Sequence, residues 1–251
     1  MKFSKKLAES TFVLVALLMA LGWSISPLYA QSVKGQPRFV GAGHFLLGFP
    51  QGEFKDNVDR IGYGVSGEFL YSFDPTPVKI GASLGFLIYG RETREEPFST
   101  TIPDVTVDVT TSNNVLLGHF LIRLQPRVGA IRPYLDGLVG FNYLFTQTKI
   151  ESQEGQDQDI ATSTNFDDFA FSYGGGGGIM IKVYDGTKKR KPSKGGLAAV
   201  LVDARVRYLK GSEAEYLKEG SIGREDTEVT YDVIKSNTDL LTVQIGAIFE
   251  F

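Results

Sequence analysis

The stretch Thr238 to Phe251 reads T-D-L-L-T-V-Q-I-G-A-I-F-E-F, and its alternation decides the fold. Leu241, Val243, Ile245, Ala247, Phe249 and Phe251 fall on one side of an extended strand, because side chains alternate with period two. Thr242, Gln244, Gly246 and Glu250 fall on the other side. In a water-soluble domain a terminal strand this apolar is an aggregation hazard. The pattern makes sense if the strand closes a barrel whose outer face meets lipid.

The opposite end of the chain points to export. Lys2, Lys5 and Lys6 form a basic region, Phe12 to Leu21 an apolar one, and Leu28-Tyr29-Ala30 precedes the polar Gln31. Residues 1–30 are therefore expected to be a signal peptide cleaved after Ala30, and 31–251 a single β-barrel domain. The apolar run is shorter than the roughly 20 residues that span a bilayer as a helix, and no later segment reaches that length. With no cysteine among 251 residues, a lipid-anchored lipoprotein and a disulfide framework are both excluded.

Eight stretches alternate. Arg38–Phe49 sets Phe39, Phe45, Leu47 and Phe49 against His44, and Arg60–Phe73 sets Tyr63, Val65, Phe69 and Tyr71 against Ser66 and Glu68. Val78–Tyr89 follows a turn through Pro75 and Pro77, since proline cannot continue the ladder. Asn114–Leu124 sets Phe120 and Ile122 against His119 and Arg123, and Tyr134–Phe145 sets Val139 and Phe141 against Asp136. Phe169–Tyr184, Leu197–Tyr208 and the terminal stretch complete the set, with Asp203, Arg205 and Arg207 on the polar side of the seventh. A lipocalin-like soluble barrel needs its aromatics inside and its charges outside; here the aromatics share a face without charges. Connections after the second, fourth and sixth strands are the shorter of each pair, the last one basic at Lys188-Lys189-Arg190-Lys191. Those after the third, fifth and seventh are long, polar and mostly acidic, and the one after the first is shorter. Short turns on one side of a membrane and long loops on the other explain the sorting.

This pattern resembles the small bacterial outer-membrane barrels of the outer membrane protein A and X type. Arg132-Pro133-Tyr134 and Asp203-Ala204-Arg205-Val206-Arg207-Tyr208 are its local echoes. Gln244, Gly246, Phe249 and Phe251 are similar to the carboxy-terminal assembly signal of such barrels. No peptidoglycan-binding domain is seen after the barrel. The resemblance implies an all-β, eight-stranded antiparallel up-and-down transmembrane barrel in the outer membrane, with periplasmic termini. Its implied surroundings are the barrel assembly machinery, outer-membrane lipids and lipopolysaccharide. A monomer without cofactor or nucleic-acid partner is expected.

The run Gly174 to Gly178 lacks the Lys-Ser/Thr and helix pattern of a phosphate loop, so it is expected to make room for neighbours. If the sixth and seventh strands pair about the middle of their turn, Gly174, Gly176 and Gly178 face Arg207, Arg205 and Asp203. The inward polar set is His44, Glu68, His119, Arg123, Asp136, Asp203, Arg205 and Arg207. An eight-stranded barrel is just wide enough for side chains to fill it, and buried charges need partners. Both signs are present, so a salt-bridged plug is expected, with Arg123 and Asp136 paired directly across a turn. Catalysis and a metal site are not expected: neither His44 nor His119 has a serine two residues on, both read as inward and mid-barrel rather than at the lipid-facing rim, and two histidines on separate strands are too few for metal. The acidic loops, Glu92, Glu95 and Glu96, then Glu151, Glu154, Asp157 and Asp159, then Glu213, Glu215, Glu219, Glu225 and Asp226, are expected to be solvated.

The function these features favour is structural, surface-interaction or adhesive, with a surface protein as partner; the alternative is a narrow pore for small or apolar solutes. Val105, Val107 and Val109, and Val229, Tyr231 and Val233, continue the alternation beyond the membrane. They predict a protruding sheet from the fourth and eighth strands, with a bulge near Asn113-Asn114 to correct the phase of the first group.

Overall fold

The structure is a computed structural model and describes residues 37–73, 75–99, 102–152, 159–186, 196–225 and 228–251. The segment 1–30, the basic run Lys188–Lys191 and the loop acids Glu154, Asp157 and Asp226 lie outside the described residues. In chain order the elements are β1 (Phe39–Pro50), α1 (Gly52–Asn57), β2 (Gly62–Ser72), β3 (Val78–Ser99), β4 (Ile102–Leu124) and β5 (Ile131–Ser152). They are followed by β6 (Asp159–Asp185), β7 (Ala199–Gly211), β8 (Glu213–Glu225), β9 (Glu228–Asn237) and β10 (Leu240–Glu250). Strands β1-β10-β7-β6-β5-β4-β3-β2 close into an antiparallel barrel, and β8-β9 form a separate two-stranded sheet. Each barrel strand pairs with its chain neighbour except at the seam, where β10 joins β1 from Val40↔Glu250 to Pro50↔Leu240.

The alternation read from sequence separates wall from interior. Phe120 is 75% exposed and Ile245 59%, whereas Arg123 and Asp203 are fully buried. Outward aromatics gather in two bands. Phe39 stacks on Phe69 and meets Tyr71 edge-on near the termini, while Tyr143, Phe145, Phe141 and Phe169 cluster near the opposite rim. From Phe39 to Phe49 a strand tilted by about 40° rises roughly 25 Å, the height of the apolar band on an outer-membrane barrel.

On the side away from the termini, β3 to β6 outrun the alternating stretches expected for them. Pairing continues from Gly90↔Asn113 to Ser99↔Ile102, and from Asn113↔Thr146 to Val107↔Ser152. A four-stranded sheet therefore stands above the rim. The bulge lies on β3 rather than β4: Tyr89 is the extra residue between Ile88↔Asn114 and Gly90↔Asn113. β4 keeps continuous register with β5 past Asn113 and Asn114, so its valines hold the phase opposite to Leu116 and Val107 is buried.

The eighth barrel strand does not extend as expected. Val229, Tyr231 and Val233 belong to β9, which pairs with β8 and leaves the barrel. The break falls at Thr238-Asp239. Thr238 Oγ1 donates to the Ser212 carbonyl at 3.2 Å, while Asp239 accepts from the Gly211 amide at 3.1 Å and the Tyr208 hydroxyl at 3.0 Å. These bonds hold the chain against the end of β7 and release the hairpin. β8 packs against β3, β4, β5 and β6, so the hairpin lies over the mouth. The glycine run is also displaced by two residues from its expected register: Gly174, Gly176 and Gly178 face Leu209, Arg207 and Arg205, with a register shift between Lys182 and Tyr184 below them.

Candidate functional site

The interior is built from the inward phase of each strand. Arg123 on β4 faces Asp136 on β5, and its guanidinium is bidentate on that carboxylate at 2.7 and 2.9 Å. The same guanidinium reaches Glu68 on β2 at 3.1 Å and lies 4.1 Å from the Tyr134 ring centroid, whose negative face adds to the carboxylates. Arg207 donates to Glu68 at 2.6 Å and also to Asp136. Arg205 lies 2.7 Å from Glu68, donates to Gln244 at 2.9 Å, and donates to His44 Nδ1 at 2.8 Å. A guanidinium only donates, so His44 Nδ1 must accept; the ring is the neutral tautomer whose Nε2–H donates to Asp203 at 3.0 Å. Asp203 also accepts from the Tyr134 hydroxyl at 2.9 Å. Three cations thus meet three carboxylates, which is what low dielectric demands.

Glycines make these contacts reachable. Gly246 stands opposite both His44 and Asp203, and Gly176 opposite both Asp136 and Arg207. Gly140 stands opposite His119 and Ser172, which bond at 3.0 Å. In each case an absent side chain on the middle strand lets its two neighbours meet over its backbone. A Cβ on Gly246 would lie 2.6 Å from the His44 ring, and one on Gly176 2.6 Å from Arg207 Cγ.

All eight residues expected inside are buried. Seven of them form one connected network, and His119 bonds separately to Ser172. Of the four residues that resemble an assembly signal, Gln244 and Gly246 belong to this interior, while Phe249 and Phe251 face outward at 39% and 46% exposure. Sequence reasoning left a second cluster out. Near the termini, Lys79 and Arg132 bond Glu250 at 3.2 and 2.9 Å. Their inward phase was the available signal: Lys79 alternates with Ile80 and Glu250 with Phe249. Tyr134 and Ser172 carried the same signal.

At the end away from the termini, α1 and the β8-β9 hairpin pack together. Phe54 of α1 is 2% exposed and packs edge-on against Tyr89 and Tyr216, with centroids at 5.7 and 5.2 Å. Tyr89 donates to the Leu217 carbonyl at 3.3 Å. Glu53 accepts two hydrogen bonds from Asn237 at 3.1 and 3.2 Å, and Asp168 accepts from the Glu215 amide at 2.8 Å. Leu46, Leu87, Leu117 and Leu240 are buried in the same core cluster as Phe54. Several loop acids are matched locally: Glu92 binds Arg94 at 2.8 Å, Glu151 binds Lys149 at 2.6 Å and Glu213 lies 3.8 Å from Lys235.

An apolar wall, two aromatic bands and a charged interior define a small β-barrel of the outer-membrane type. No family model matches the chain, and no curated protein matches it by sequence. Among solved structures it is similar to neisserial surface protein A (10% identity, 85% of this chain and 97% of that one, TM-score 0.38). It is also similar to Ail, the attachment invasion locus protein of Yersinia pestis (14% identity, 87% and 100%, TM-score 0.33). A major outer membrane protein of Thermus thermophilus is a third (10% identity, 85% and 99%, TM-score 0.37).

Proposed function

We propose that this chain is an outer-membrane protein with a surface-interaction or adhesive role, its lumen plugged by paired charges, and that it is neither a pore nor an enzyme. The observation that carries the proposal is the sheet standing above the rim. Among the described residues, β3 from Gly90 to Ser99 pairs with a strand only on its β4 side, and β6 from Asp159 to Asp167 only on its β5 side. An unpaired edge can take up a partner's strand through backbone hydrogen bonds without any side-chain motif. Placing this end outside puts the termini in the periplasm, with lipopolysaccharide around the upper aromatic band and the assembly machinery reading the terminal strand.

The test is cell adherence by a bacterium expressing the chain. In one variant Arg91–Ser112 and Thr148–Ser163 are each replaced by a tight Asn-Gly turn, which removes both edges and spares the barrel. Adherence above background that falls to background in the variant supports the proposal. Equal adherence by both proteins contradicts it.

A further inference from the structure

Above the barrel wall, beside α1, is a cleft of about 560 Å³. Its walls come from the link between α1 and β2, from β3 just past the Tyr89 bulge, and from the irregular turn of β8 between Leu217 and Ile222. Gly220, at φ +81°, shapes that last wall and leaves it without a side chain. Tyr89 is buried beneath. The next outward residues along the chain, Ile61 and Tyr63, belong to the exposed apolar wall, so the segment that lines the cleft adjoins that wall.

The polar lining carries both signs. Asp59 and Glu92 supply carboxylates, Arg60 and Lys218 supply cations, and Asn57 and Asn113 supply carboxamides. Arg94 holds the Glu92 carboxylate at 2.8 and 3.0 Å, which keeps it an acceptor. A bare anion entering this cleft meets two carboxylates, and a bare cation meets two bases. A hydroxyl group both donates and accepts, so it bonds equally well to each part of the lining. The volume falls within the roughly 300–1,000 Å³ typical of small-molecule sites.

We propose that this cleft binds an uncharged saccharide, its hydroxyls donating to Asp59 and Glu92 and accepting from Arg60, Lys218 and Asn57. The saccharide comes either from a glycolipid headgroup of the surrounding leaflet or from a glycan outside it. Access to those sources rests on the orientation proposed above; the chemistry of the cleft does not.

The experiment uses the exported chain refolded in amine-oxide micelles, where no sugar detergent competes. It is offered an array of neutral, sulfated, phosphorylated and zwitterionic oligosaccharides. Neutral members are expected to bind, with affinity changing less than about twofold between about 0.05 and 0.5 M NaCl, because screening has no net charge to act on. Asp59→Asn combined with Glu92→Gln, and Lys218→Ala alone, should each weaken binding about tenfold or more, since each removes charged hydrogen-bond partners. Unchanged migration on unheated gels shows that the variants fold. Capture of acidic glycans alone with steep loss in salt, no capture at all, or neutral binding indifferent to the three substitutions would each overturn the proposal. Competition by lipopolysaccharide bearing neutral core sugars assigns the source to the lipid; its failure assigns an external glycan, and either result upholds the site. Because the micelle has no inside or outside, a negative result leaves the surface-interaction proposal standing.

Discussion

His44 and Asp203 share a hydrogen bond of 3.0 Å over the backbone of Gly246, the residue that stands opposite both of them. Gly246 also falls in the motif that resembles an assembly signal, so one glycine has two candidate roles. Gly246→Ala places a methyl group against the Gly43 carbonyl oxygen and 2.6 Å from the His44 ring, so both the strand backbone and the buried pair must shift, at a cost of about 1–3 kcal/mol. Gly43, whose added Cβ would meet nothing within 4 Å, is the control. In urea unfolding of purified barrels, Gly246→Ala should lower the midpoint and Gly43→Ala should not. A Gly246→Ala midpoint equal to wild type, with assembly lost only in cells, would leave the signal as its sole role.

Arg123 and Asp136 are the centre of the charge network. Asp136→Asn leaves Arg123 and Arg207 with Glu68, which Arg205 also contacts, and so one uncompensated buried positive charge, which typically costs about 3–5 kcal/mol. Adding Arg123→Met restores the balance of charges, so the double variant should be more stable than Asp136→Asn alone. A double variant less stable than the single one would show that the pair contributes by shape rather than by charge.

Phe54 joins the helix to the hairpin over the mouth. Phe54→Ala removes a buried aromatic between Tyr89 and Tyr216, a change worth about 3–5 kcal/mol in a packed core. Amide exchange should quicken at Ala214–Leu217 and stay slow in β10. Uniform acceleration through the barrel would mean that the hairpin and wall open together.

Orientation has its own check. Protease added to intact cells should cut at Lys218, which is exposed on the hairpin, and spare the basic run Lys188–Lys191. Cleavage confined to the basic run would invert the topology.

The wall was legible because a membrane barrel writes its two faces into alternate residues: Phe120 beside His119, Val206 beside Arg205. The interior was legible for the same reason, and Arg123 with Asp136 could be paired from their distance to a turn. What was not legible depended on contacts distant in sequence. α1 is six residues long, too short for a helical period to show. β9 alternates in phase with Leu241, and only the bonds of Thr238 and Asp239 to the end of β7 reveal that the chain departs there. A bulge between Val107 and Leu116 was expected so that both would face the same way, but β4 runs unbroken there, Val107 keeps the opposite phase, and the irregularity lies on β3 at Tyr89. Glycines in the polar phase were read as space for one long side chain. Gly246, Gly176 and Gly140 instead let residues from the strands on either side meet, a relation that appears only once three strands are in register.

The proposed plug, ion pairs at the centre of the lumen and aromatic packing at its mouth, is the feature that would separate a surface-interaction protein from a pore. Single-channel recording of the refolded wild-type chain in a planar bilayer addresses that directly. The expected result is a baseline without stable open-channel steps. Reproducible ohmic steps from the wild-type protein would contradict the blocked lumen and make the chain a pore.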